Sequence, residues 1–215
     1  MRLELGKRAR LRDGGVREIG DVVIDATTNR VTHVVVQPRD DPDDARLVPL
    51  DLVAEVPGGR EVSLQCTAEA IEKLDLVREH DLVRLGEQRK KEPGWDVGVE
   101  DVQTFPSYQP AAFGDYGGDL SPDVVVTFDR VPKGEIELRH ASAVYSADRH
   151  HVGQVAGLEV DRDDHITSLI LERGHLWWRR EIVIPAEAVA TLASDSVTLA
   201  VPKAELGNFR SQRRG

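Results

Sequence analysis

Several kinds of residue are scarce in this chain, and each scarcity removes a class of function. One cysteine, Cys66, stands among 215 residues, so no internal disulfide forms, as expected of a cytoplasmic protein. Cys66 lies between Leu64 and Ala68, and no histidine stands near it to make it a nucleophile, so it reads as a small strand-end residue. No run approaches the ~18 apolar residues needed to cross a membrane. The opening MRLELGKRARLRDGG places charges where a signal peptide needs its apolar segment. Basic residues are outnumbered, 28 against 38, for a net charge of −10. A protein that binds nucleic acid through phosphates needs a basic face, so direct nucleic-acid binding is not expected. Catalytic signatures are missing too: there is no Gly-x-Ser-x-Gly, no phosphate-cradling glycine loop and no His-Glu-x-x-His. The expectation is a protein without catalytic residues, metal or cofactor.

Acidic and histidine groupings have plainer explanations than metal binding. Pro38 to Arg46 holds Asp40, Asp41, Asp43 and Asp44 but lacks the glycine and terminal glutamate of a calcium loop. His150 and His151 are adjacent, and neighbours rarely ligate one ion. Asp161, Asp163 and Asp164 fall where a hairpin turn is expected.

What the chain does have is β-branched runs separated by turn residues. Leu3 to Leu11 alternates as a first strand, and Asp13-Gly14-Gly15 is a turn. Val22 to Ile24 and Val31 to Val36 are strands joined by the polar turn Asp25–Arg30. The unbroken valine run of the latter predicts burial on both faces. Leu47-Val48-Pro49 and Val62-Ser63-Leu64 are short strands, and Thr67 caps a helix over AEAIEKL. Asp75 to Asp123 differs, with charge runs, prolines and glycines, and its length marks a boundary. It still holds Trp95, Phe105, Tyr108, Phe113 and Tyr116, five of the ten aromatic residues, which a purely flexible linker would lack. An ordered strap lying against one or both modules is expected there, the alternative being a segment that folds on a partner. From Asn208 to Gly215 the chain reads as a basic, mobile tail.

The second half repeats the first. Gly20 set against Gly153 gives an offset of 133, at which Leu5 meets Leu138, Leu11 meets Val144 and Val22 meets Val155. Thr32–Val36 matches Thr167–Leu171, Leu47-Val48-Pro49 matches Val183-Ile184-Pro185, and Val62-Ser63-Leu64 matches Val197-Thr198-Leu199. Two copies of one small β domain follow: residues 1–75 and 124–207, with 76–123 as connector and 208–215 as tail. Many short strands separated by turns point to a barrel or sandwich.

Each half resembles a PRC-barrel domain, the β-barrel module named after the photosynthetic reaction centre H subunit. In the second copy the likeness is carried by Gly153-Gln154-Val155 through Val160-Asp161, by Ile166 to Leu171, and by Gly174-His175-Leu176-Trp177 with Arg180-Glu181-Ile182-Val183-Ile184-Pro185. In the first it is carried by Gly20-Asp21-Val22 to Asp25, Val31 to Val36 and Val48-Pro49-Leu50. The fold expected is mainly β, two small PRC-barrel-like barrels in tandem. The resemblance implies a binding scaffold, in protein–protein or ribonucleoprotein contact, and carries over no active site.

Aromatic residues and arginine concentrate at interface hot spots. Trp177 and Trp178 are adjacent, so on a strand one faces the core and the other the outside, and parity with Ile182 and Ile184 sends Trp177 outward. Trp177, Arg179, Arg180 and His175 are therefore the candidate interface. The copies also differ in charge: the four aspartates of the first are replaced in the second by Arg173, Arg179 and Arg180. Such charges pair the copies within a chain or between chains, a homodimer being one form. The function expected is a cytoplasmic adaptor for unidentified protein partners, with a ribosome- or RNA-associated factor as the alternative.

Overall fold

Valine, isoleucine and leucine runs suit a pleated, half-buried surface, and the described residues fold mainly as β-strands. The computed structural model describes residues 1–56, 62–84, 102–110, 123–132, 134–174 and 180–213. The first half forms β1 (Arg2–Glu4), β2 (Lys7–Leu11), β3 (Val16–Asp25), β4 (Arg30–Gln37), β5 (Arg46–Pro49), β6 (Val53–Glu55), β7 (Val62–Leu64) and the helix α1 (Ala68–Glu72). Next come β8 (Arg78–Arg84), β9 (Val102–Pro110) and β10 (Asp123–Pro132). The second half forms β11 (Glu135–Arg139), β12 (Ala143–Tyr145), β13 (His151–Val160), β14 (Ile166–Arg173), β15 (Arg180–Pro185), β16 (Val189–Leu192), β17 (Ser196–Leu199) and β18 (Arg210–Arg213). Among the described residues no helix is long and apolar enough to cross a membrane.

These strands make two sheets, each curled into a half-barrel, and a smaller three-stranded one. The first sheet runs β5-β4-β3-β2-β7-β6, the second β16-β17-β12-β13-β14-β15-β18, and the third β8-β10-β9. The halves exchange their opening strands. β1 leaves the first half to pair with β13, setting Leu3 opposite Leu158. β11 leaves the second half to pair with β3, setting Leu138 opposite Val22. The hairpin tips also meet, because Val31 N donates to Asp164 O and Ile166 N to Asn29 O, both at 3.0 Å. Arg30 and His165, corresponding residues of the two halves, face each other across this antiparallel bridge. The molecule therefore has an approximate two-fold axis between them. One continuous core holds Leu3, Ile24, Val34 and Leu64 together with Leu138, Leu158, Leu171 and Ile184.

Strand pairing moves the register of the repeat. Val34 lies opposite Val22 and Val48, and Leu169 lies opposite Leu158 and Ile184. Val22 thus corresponds to Leu158, an offset of 136, and Val155 corresponds to Ile19. Likewise Leu138 corresponds to Leu3, and Val144 to Ala9, at 135. The sequence matches at 133 are off by two or three residues, because sliding one aliphatic strand along another still sets apolar on apolar. The left-handed backbone positions keep the true register: Gly6 and Ala141, Gly14 and Arg149, Asn29 and Asp164 are each 135 apart. The first strand expected over Leu3–Leu11 is accordingly two strands broken at Gly6 (φ +69°).

The connector is more regular than its prolines and glycines suggest, since β8 and β9 both pair with β10. Val77, at the start of the connector, and Val131, beyond its end, pack with Val23, Val35 and Ala45 on the outer face of the first sheet. Val34 and Val36 enter the main core while Val35 enters this outer cluster, so β4 is buried on both faces as its valine run predicts. The expected tail also differs, because β18 pairs along β15. It corresponds to residues 75–77, which line β5 through Leu47 N to Asp75 O (3.1 Å) and Val77 N to Ala45 O (2.9 Å). A strand as polar as Arg-Ser-Gln-Arg carries no apolar alternation to read.

Corresponding aspartates hold the helical turns. Thr67 caps α1 through Ala70 N as expected, and Asp13 Oδ2 accepts Ala68 N at 2.8 Å. Asp148 Oδ1 accepts Lys203 N at 3.1 Å in the second half. Hydrogen bonds from Ser146 and then Lys203 lower the Asp148 carboxyl to about 2. A depressed folded-state pKa gives stability that is present above the unfolded value, near 3.9, and is lost as pH falls through the folded value. Asp148→Ala should therefore lower Tm at neutral pH, and the gap to wild type should close between about pH 4 and pH 2. Melting curves across that range check it.

Candidate interaction surface

Gly174, at φ +116°, ends β14, and β15 begins at Arg180. Ile182 and Ile184 point to the core. Arg180 shares their parity, one step beyond the buried pair, and stands exposed at the rim of the curled sheet. Arg173, also exposed, lies directly opposite it on β14, and Arg213 lies opposite it on β18. Arg173, Arg180 and Arg213 thus occupy one register row on three adjacent strands. Of the sequence candidates, Arg180 belongs to this row, while His175, Trp177 and Arg179 lie outside the described residues.

In the neighbouring row Glu172 and Glu181 point to the opposite face. Glu181 is buried, and its Oε2 accepts Arg2 Nη2 at 2.5 Å. Arg2 Nε lies 3.0 Å from Glu4 Oε1, so β1 brings a small ionic group across from the first half. The buried Glu181 carboxylate is therefore turned away from the face of Arg173 and Arg180. Among the described residues the side chains of Arg173 and Arg180 make no hydrogen bond or ion pair. Like charges opposed across strands are unfavourable by themselves, so the row is suited to an anionic partner.

The corresponding place in the first half has the opposite sign. Asp44 corresponds to Arg180, and it accepts Arg46 Nη2 at 2.6 Å and Nε at 2.9 Å. Asp40, Asp41 and Asp43 are exposed around the 3-10 turn Pro42–Asp44, and Asp41 Oδ1 accepts Asp43 N at 3.2 Å.

Other polar groups tie the halves together. Asp21 Oδ1 accepts His140 N at 2.7 Å, and Thr32 Oγ1 donates to Glu135 Oε2 at 2.6 Å. Asp161 Oδ1 accepts the N–H groups of Asp163 and His165, both at 2.9 Å, the geometry of the expected turn. Burial pushes the Cys66 thiol up, with the nearby Asp13 charge adding to it, the reverse of activation. No three His, Cys, Asp or Glu side chains among the described residues are grouped to hold a metal ion.

Sequence reasoning missed Arg213, because the tail was not read as a strand. Carrying the 135-residue repeat past residue 207 would have aligned β18 with residues 75–78 and placed it. No family model, curated protein or solved structure matches the chain.

Proposed function

We propose that the chain is a non-enzymatic scaffold, built as tandem PRC-barrel-like copies, that binds protein partners. Its docking surface is the arginine row at the β14–β15–β18 rim, with Trp177, Arg179 and His175 in the connection between Arg173 and Arg180. The observation that carries this reading is the in-register placing of Arg173, Arg180 and Arg213. Guanidinium forks take carboxylates two-pronged and lose little order in doing so. The partner is a protein segment rich in Asp or Glu.

The test is binding of a fluorescent poly-glutamate peptide to the full chain, followed by anisotropy. The Arg173→Glu/Arg180→Glu double variant should bind at least about tenfold more weakly, since a charged hydrogen bond contributes ~1.5–3 kcal/mol. Its circular dichroism should match wild type, because both side chains are exposed. Equal binding by the two proteins would sink the assignment. Preferential, steeply salt-dependent capture of a single-stranded RNA by the same surface would replace it with the alternative of an RNA-associated factor.

A further inference from the structure

The arginine row and the acidic connection occupy corresponding places in the two halves. The Arg30–His165 bridge is antiparallel, so β4 and β14 leave it in opposite directions. Each strand is eight residues long, which carries its far end roughly 25 Å from the axis. The acidic connection after β4 and the arginine row after β14 therefore stand at opposite ends, out of reach of each other within one chain. Of the two pairings open to the sequence, only pairing between chains survives.

We infer that the arginine row of one molecule docks on the Asp40–Asp44 connection of a second copy of this chain. The inference rests on the row being a carboxylate-binding surface, and it names the occupant. Complementarity of charge and rigidity supports it. The row stands on three paired strands, and the acidic connection is held by the Asp41 cap and the Arg46–Asp44 fork. Set head to tail, the contact is heterologous and assembly continues into open chains or rings; set side by side and antiparallel, two copies make the contact twice and close as a dimer. Two forces limit it. Exposed ion pairs are individually weak, and a net charge of −10 repels at long range. Association is accordingly weak, and favoured by high protein and low salt concentration.

Sedimentation of the full chain across a concentration series tests the contact. Mean mass should rise with concentration in low salt, and the association constant should fall by about tenfold or more in ~0.5 M salt. Arg173→Glu/Arg180→Glu and Asp40→Lys/Asp43→Lys should each sediment as monomers. Mixed, the two variants should associate again, because each end of one then meets its complement on the other. Wild type that stays monomeric in low salt, or variants whose mixture fails to associate, would overturn the self-contact. Poly-glutamate binding separates the two readings. If wild type is monomeric and still binds the peptide, the docking surface stands and its occupant is another protein; if the peptide is not bound either, both fall.

Discussion

Gly157→Ala should cost roughly 2–4 kcal/mol of stability, as large a loss as truncating a buried leucine. A Cβ at residue 157 would lie 2.2 Å from Leu3 O and 3.1 Å from Glu4 Cα. Both are backbone atoms, so no side chain can swing aside. The strand they belong to, β1, is held on β13 by the Leu3–Leu158 pair, by Leu5 N to Ala156 O (2.9 Å) and by Val160 N to Met1 O (2.9 Å). Relief requires β1 to lift, which uncovers Leu3 in the core and parts Arg2 from Glu181. The corresponding residue of the first half is Asp21, so β11 approaches β3 beside a side chain that accepts a hydrogen bond from His140 N, just past the end of β11. The glycine is thus required at one crossing only. Urea unfolding of the variant, with Gly207→Ala as a control where added atoms meet open space, measures the difference. A loss within about 0.5 kcal/mol of the control would contradict the close approach.

Leu3→Ala and Leu138→Ala should each cost about 2–5 kcal/mol, and each should shift one shared unfolding transition. The two leucines occupy corresponding positions on the exchanged strands and are fully buried in the same core. Each crosses from its own half to cover the other. A domain pair with separate cores would show the damaged copy melting first, as an added low-temperature step. A shared core with exchanged strands permits no such separation, so calorimetric and van't Hoff enthalpies should agree in both variants. Two resolved transitions would show that the halves unfold independently.

How far the sequence could be read depended on which feature carried each element. The valine run of β4, the Thr67 cap and the Asp25–Arg30 turn were legible because local chemistry decides them. The duplication was legible as well, and so was its register where Thr32–Val36, Leu47–Pro49 and Val62–Leu64 were matched; the matches at 133 slipped, because alternating aliphatic residues align almost as well two or three places away. Exchange of β1 and β11 leaves no local trace, because Leu3 and Leu138 need an apolar neighbour and either half offers one. At the candidate surface, Arg173 and Arg180 were visible as charges, yet their alignment with Arg213 needed a strand whose residues are all polar. The connector's strands were hidden for a related reason, since its prolines and glycines advertise turns more loudly than its short extended runs advertise pairing.

Exchanged strands also set the order in which the molecule can be made. β3 leaves the ribosome more than a hundred residues ahead of its partner Glu135–Arg139. Until then a row of backbone groups beside Val22 and Ile24 has water or a stranger for company. β1 waits longer still, for β13. Closing contacts across such sequence distances costs chain entropy before it returns any stability. Folding of the first sheet is therefore completed only after the opening strand of the second half has emerged, and the waiting edges are where a crowded translation product is most exposed to pairing with the wrong chain.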